Sequence, residues 1–212
     1  MLKANKISHH FETLLYQNLN LEVLPTESIA ILGVSGSGKS TILNNLSTML
    51  KPIKGTVNLF EYENIYSLSP KKLLEIRRYD VGIIFQSHYL FRGFSGIENL
   101  KISSILSGQK IDGDLLEFLG IQKILHQNVA ELSGGQQQRL SIARVLTKKP
   151  RIIFADEPTG NLDSTTAQNV MQVIFEYIKN TKSILILATH DEGIAKKCTR
   201  VFRLQNKSLL EY

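Results

Sequence analysis

The chain reads as an α/β protein, with a three-layer core built on a parallel sheet. Three observations predict this. The runs Ser28–Leu32, Val81–Phe85, Arg151–Ala155 and Ser183–Ala188 are short and almost wholly apolar, as expected of strands buried on both faces. Segments of helical spacing separate them, and strands alternating with helices build a sheet covered on both sides. One run, Ser28–Leu32, opens directly into a glycine-rich loop and then a helix. The same reading adds an antiparallel β portion at the start and a helical lobe inserted into the core.

A length of 212 residues supports one sizeable core with an appended lobe rather than a second full domain. We therefore expect a single domain over 1–212, with its core in 1–86 and 151–212 and its lobe in about 87–150. A hydrophobic content of 42% and a charged content of 21% describe a soluble globular protein. No apolar run approaches the ~18 residues that span a bilayer. Met1–His10 lacks the apolar centre of a signal peptide. A single cysteine, Cys198, excludes an intrachain disulfide and fits a reducing cytoplasm. The net charge of +6 is spread over pairs such as Lys71-Lys72, Arg77-Arg78 and Lys148-Lys149. No run makes a basic patch and no aromatic residues interleave, so no nucleic-acid partner is expected.

In chain order, Lys6–Phe11 and Leu19–Val23 read as antiparallel strands flanking a turn region, ahead of the core strand Ser28–Leu32. A helix follows the glycine-rich loop from Lys39 to about Met49. Ser69-Pro70 begins a second helix to Arg78, with serine as N-cap and proline in the first turn. Val81–Phe85 is a short buried strand that ends at Gln86. Ile97 to about Pro150 is mostly helical, and Ser133-Gly134-Gly135 leads into a helix from Gln136 to Thr147. Asp163-Ser164 caps a helix whose Val170, Val173, Ile174, Tyr177 and Ile178 follow helical spacing. Ser183–Ala188 is the last buried run and ends at Thr189-His190-Asp191. His9-His10 is a poor metal pair, because neighbouring strand residues point to opposite faces; both read as solvated.

Three segments carry chemistry. Gly33-Val-Ser-Gly-Ser-Gly-Lys39-Ser40-Thr41 fits the phosphate-loop pattern G-x-x-x-x-G-K-[ST], in which backbone N–H groups turn inward around phosphates. Lys39 then reaches the outer phosphates and the Ser40 hydroxyl is placed to hold Mg²⁺. By chance alone this pattern arises in roughly one in a hundred chains of this length, and the string Leu132-Ser-Gly-Gly-Gln136 in only a few per ten thousand. An acidic pair, Asp156-Glu157, closes an apolar strand further on. All three together, in this order, leave coincidence no room.

With these residues in view, the chain resembles the nucleotide-binding subunit of an ATP-binding-cassette (ABC) transporter from about Lys6 to Leu210. The resemblance implies the ABC ATPase fold, ATP hydrolysis, and a head-to-tail dimer in which each signature segment closes on the partner's nucleotide. It implies nucleotide contacts from Gly33, Ser35, Gly36, Ser37, Gly38, Lys39, Ser40 and Thr41 in one subunit. Ser133, Gly134, Gly135 and Gln136 of the signature, with Asp163 after the Walker B strand, complete the site. Phe11 is the nearest fit to the aromatic residue that stacks on adenine. Glu157 is the implied base, His190 the switch histidine at the γ-phosphate, and Gln86 the glutamine that senses metal and water. Mg²⁺ is implied on Ser40, Asp156 and Gln86.

The expected partners are ATP, integral membrane permease subunits, and either an identical ATPase subunit or a paralogue. The expected place is peripheral, on the cytoplasmic face of the inner (plasma) membrane. Asn206 stands where a turn glycine is common, and asparagine tolerates the left-handed conformation. Gly160-Asn-Leu-Asp163 and Gln86–Ser95 resemble the branch containing lipoprotein-releasing, macrolide-exporting and cell-division cassettes. His88, Leu90 and Ile97-Glu98-Asn99 point within it to lipoprotein release. The alternative is a non-transporting cell-division-type ATPase that signals to a membrane partner. Soluble ABC ATPases of repair or translation carry long coiled coils or tandem cassettes, and this chain has neither.

Overall fold

A computed structural model describes residues 1–212. Two sheets organise it. β1 (Leu2–His10), β2 (Leu14–Val23) and β4 (Lys54–Leu59) form an antiparallel sheet in the order β2-β1-β4. The six-stranded sheet has the order β5-β6-β7-β3-β8-β9, from β3 (Ser28–Leu32), β5 (Val81–Ile84), β6 (Ile152–Asp156), β7 (Ile184–Thr189), β8 (Arg200–Gln205) and β9 (Ser208–Glu211). Its first five members are parallel and β9 closes the edge antiparallel.

The central strands are apolar throughout because each feeds two cores. Along β3, Ile29 and Ile31 enter the core beneath the antiparallel sheet and helix α1 (Lys39–Leu46), while Ala30 and Leu32 enter the core beneath the helices on the other face. β6 divides in the same way: Ile152 and Phe154 face one core, Ile153 and Ala155 the other. The predicted three layers follow from this two-sided burial. The second core is built with α3 (Gly96–Ser107), α4 (Gly113–Phe118), α5 (Gly134–Thr147) and α6 (Ser164–Thr181). α2 (Pro70–Tyr79) lies before β5, and the short α7 (Glu192–Ala195) follows β7.

Several boundaries differ from the sequence reading. β1 and β2 are longer than Lys6–Phe11 and Leu19–Val23, because paired irregularities interrupt the alternation that marks a strand. Lys6 (φ 47°) and Asn18 (φ 51°) are left-handed, and the Lys6 N–H bonds to Asn20 Oδ1 while the Asn18 N–H bonds to Ser8 Oγ. β4 escaped notice because its first residues are exposed and its alternation is short. α1 stops at Leu46 rather than near Met49: Thr48 turns left-handed (φ 74°), and Arg77 donates to its hydroxyl and carbonyl. His9 is only 4% exposed, not solvated. The strand that turns His10 outward turns His9 inward, edge-on to Phe11. At the far edge, Asn206 (φ 49°) and Lys207 (φ 62°) make the left-handed turn between β8 and β9.

Candidate active site

The site is built where the parallel strands end. β3 delivers the loop Gly33–Gly38 onto the N-terminus of α1, while β6 and β7 deliver Asp156-Glu157 and Thr189-His190 beside it. α1 starts without a side-chain cap. Its N-cap is Gly38 at φ 108°, a conformation L side chains rarely adopt, and its first turn carries no acidic residue. The first backbone N–H groups of α1 are thus free of side-chain acceptors, at the positive end of the helix dipole. Lys39 is 7% exposed, and its ammonium donates to the carbonyls of Gly33 (2.8 Å) and Val34 (3.1 Å).

Asp156 faces Ser40, Lys39 and Glu157. Burial raises its carboxyl above the usual carboxylate range; the Ser40 hydroxyl and the Lys39 ammonium work against the rise, and the Glu157 charge adds to it. The groups able to ligate a cation here are oxygens, and the carboxylates of Asp156 and Glu157 repel each other beside a single ammonium. Such a set fits Mg²⁺, which prefers hard oxygen ligands and would offset the surplus negative charge. Glu157 stands on a left-handed backbone (φ 46°), uncommon outside glycine. Its N–H bonds to the Ala188 carbonyl. Its Oε1 lies 3.0 Å from His190 Nδ1, and the Thr189 hydroxyl donates to its Oε2 at 3.3 Å. The end of β7 thus reaches the Glu157 carboxylate with two side chains. The His190 ring stays 74% exposed, free to meet a ligand.

A cavity of about 720 Å³ lies against the loop, bounded by Gly33, Val34, Gly36 and Ser37, by Thr13–Leu15, and by His190. Phe11 is 61% exposed at the turn before this wall, its ring 5.0 Å from His9; it is not among the residues lining the cavity. Leu14 and Leu15 do line it; they open β2, in the stretch where the sequence predicts a turn. Thr189 was also passed over, although its place before His190 was the available signal.

The signature residues lie elsewhere. Ser133 caps α5 with a full capping box: its hydroxyl accepts from the Gln136 N–H and Gln136 Oε1 accepts from the Ser133 N–H. None of Ser133–Gln136 borders the loop cavity. Asp163 caps α6 by accepting from the Thr166 N–H. Gln86 opens instead into a different cavity of about 700 Å³, shared with His88, Gln137 and Asn161.

The sequence profile of the ABC transporter family matches residues 16–160. The chain belongs to the ABC transporter family. It is the ATP-binding, ATP-hydrolysing subunit type of that family. It is 36% identical over 217 residues to the lipoprotein-releasing system ATP-binding protein LolD of Shewanella frigidimarina (strain NCIMB 400), covering 97% of this chain and 90% of that protein. It is 40% identical over 196 residues to the macrolide export ATP-binding/permease protein MacB of Wolinella succinogenes, covering 90% of this chain but only 30% of that longer protein. Among solved structures, it superposes on the dimeric post-hydrolysis state of the ATP-binding cassette MJ0796 bound to ADP and Pi. The TM-score is 0.91 at 30% identity, over 100% of this chain and 98% of that one. No helix of this ABC protein is long and apolar enough to cross a membrane.

Proposed function

We propose that this subunit hydrolyses ATP at two composite sites of a head-to-tail dimer and so drives an integral membrane permease that releases lipoproteins. The observation that carries the reading is the convergence of His190 and Thr189 on the Glu157 carboxylate, beside Asp156, Ser40 and Lys39. In this reading Gly33–Gly38 and the N–H groups of Lys39, Ser40 and Thr41 wrap the phosphates at the uncapped end of α1. Lys39 exchanges its two carbonyl partners for outer phosphate oxygens. Ser40, Asp156 and Gln86 would hold Mg²⁺, which would supply positive charge to offset that of the phosphates.

Glu157 takes a proton from water as the water oxygen attacks the γ-phosphorus. The bond from phosphorus to the β–γ bridging oxygen breaks, and its electron pair leaves with ADP. His190, oriented through Nδ1 by Glu157, hydrogen-bonds the γ-phosphate. Phe11 is assigned to the adenine. Ser133, Gly134, Gly135, Gln136 and Asp163 act on the partner's nucleotide, which accords with their distance from the loop cavity of their own chain. The exposed Tyr89, Phe91 and Phe94 beyond Gln86 supply an apolar surface for the permease at the cytoplasmic face of the membrane. The relatives named for lipoprotein release favour that substrate class.

Glu157→Gln keeps the shape of the carboxylate but cannot accept the proton. It is expected to bind ATP, lose turnover, and elute as a dimer on size exclusion with ATP. A variant that binds ATP yet stays monomeric at high concentration refutes the head-to-tail arrangement. For the substrate, depletion of the subunit in its own cell should leave lipoproteins in the inner membrane. Normal lipoprotein sorting with failed cell separation supports the cell-division alternative instead.

A further inference from the structure

His88 lies two residues past Gln86, on the loop that leads from β5 to α3. One face of α5 grips its main chain. Ser141 Oγ donates to the His88 carbonyl at 3.0 Å, and Arg144 donates to the Tyr89 carbonyl at 2.8 Å and to the His88 carbonyl at 3.4 Å. Tyr89 is left-handed (φ 47°), so the loop kinks where it is held. Gln137 precedes Ser141 by one helical turn, on the same face, and it meets the His88 ring.

The ring contacts fix its proton. Gln137 Nε2 donates to the carbonyls of Val129 (3.2 Å) and Leu132 (2.9 Å), which sets the orientation of its amide. Gln137 Oε1 therefore faces His88 Nδ1 as an acceptor at 3.2 Å, and Nδ1 carries the hydrogen. On the other side of the ring, Nε2 lies 3.4 Å from Asn161 Nδ2. Asn161 belongs to the loop that follows Glu157. One imidazole thus ties together the loop after Gln86, the turn that ends at Leu132 before the signature, and the loop after Glu157. A second contact draws the last two together: a Cβ on Gly135 would lie 3.3 Å from Leu162 Cδ2, so the start of α5 packs closely on this loop.

We infer that His88 is a positioning residue for hydrolysis: through the two sides of its imidazole it sets the loop after Glu157 against the signature turn and the Gln86 loop, so that the three shift as one unit. This rests on Glu157 being the base. His88 acts only through Asn161 and Gln137. The ring makes two hydrogen bonds and lies outside both hydrophobic cores, so its loss should disturb geometry more than folding.

The test uses the full chain, with steady-state ATP turnover, binding of a non-hydrolysable ATP analogue, and the thermal midpoint. His88→Ala and Asn161→Ala should each lower kcat about tenfold with analogue affinity and midpoint unchanged. The double variant should be no slower than either single one, because both remove the same contact. His88→Gln, whose amide extends towards Asn161, should recover part of the rate. Wild-type kcat in His88→Ala, or single effects that multiply in the double variant, overturns the inference. Should His88→Ala lose its fold, His88→Asn decides: its amide reaches Gln137 but not Asn161, and a wild-type kcat there overturns the inference equally. Glu157→Gln is the control. Turnover persisting in it rejects the base assignment, a result separate from any outcome at His88.

Discussion

The N-termini of α1 and α5 make opposite use of the same helix physics. α1 begins on a left-handed glycine with no side-chain cap, whereas α5 begins on Ser133 with a reciprocal capping box. An open helix end leaves its N–H groups to water or to a bound anion, whereas a capping box satisfies two of them from within the chain. α1 is therefore a standing receptor for phosphate. α5 is closed by its own serine, and in the reading proposed above that serine meets the nucleotide of another subunit. On that reading the motif at α1 describes a binding site within the chain, and the motif at α5 half of a site completed by a partner.

The largest effect should come from removing the charge that serves the open end. Lys39→Ala is expected to abolish ATP binding, a loss of at least about a hundredfold in affinity, measured by titration with a fluorescent ATP analogue. Wild-type affinity would mean that α1 binds phosphate without its lysine. Next is the conformation that keeps the end open. Gly38→Ala forces an L residue to φ 108° and puts its Cβ 3.3 Å from that of Leu15. The expected cost is about 2–3 kcal/mol, read in urea unfolding and in weakened nucleotide binding.

Lys148 extends the comparison to a helix C-terminus. Like Lys39 it donates to two main-chain carbonyls, here of Arg77 in the last turn of α2 and of Val81. Burial lowers its ammonium to about 8 from an ordinary 10.5; Asp80 partly opposes this and Arg144 adds to it. Between those two values the unfolded chain binds more protons than the folded one, so stability should rise with pH across that window by about 2 kcal/mol. Lys148→Met should flatten the rise in unfolding curves taken at pH 8, 9 and 10; an unchanged slope assigns it to another group. The smallest effect on folding belongs to the capped end. Ser133→Ala removes one acceptor for about 1 kcal/mol. It should leave ATP binding by the isolated subunit intact while turnover falls, and full turnover would contradict action in trans.

Much of the core was readable because burial on both faces leaves a run with no alternation: β3, β6 and β7 stand close to their expected bounds. The antiparallel sheet was harder. Its strands are half exposed and broken at Lys6 and Asn18, so neither the start of β2 nor β4 declared itself, and with them went Leu14 and Leu15 of the cavity wall. His9 was misread because adjacent histidines look alike in sequence, and only the facing of the strand separates a buried ring from a wet one. Leu90 packs against the helical core while Tyr89, Phe91 and Phe94 remain exposed, a division that four similar apolar residues do not reveal on their own.

By itself the sequence determined the class of fold, the phosphate loop, the acidic pair and the family, because each rests on local chemistry: the backbone freedom of glycine, a lysine at a fixed offset, a carboxylate closing an apolar strand. Only the tertiary structure decided that Glu157 is held by Thr189 and His190 from the next strand, that Ser133–Gln136 lies away from the loop cavity, and that His88 joins three loops. Those arrangements depend on which strands lie side by side and how helices pack across them. Long-range geometry of this kind is set by the burial of the whole core rather than by the spacing of residues along the chain.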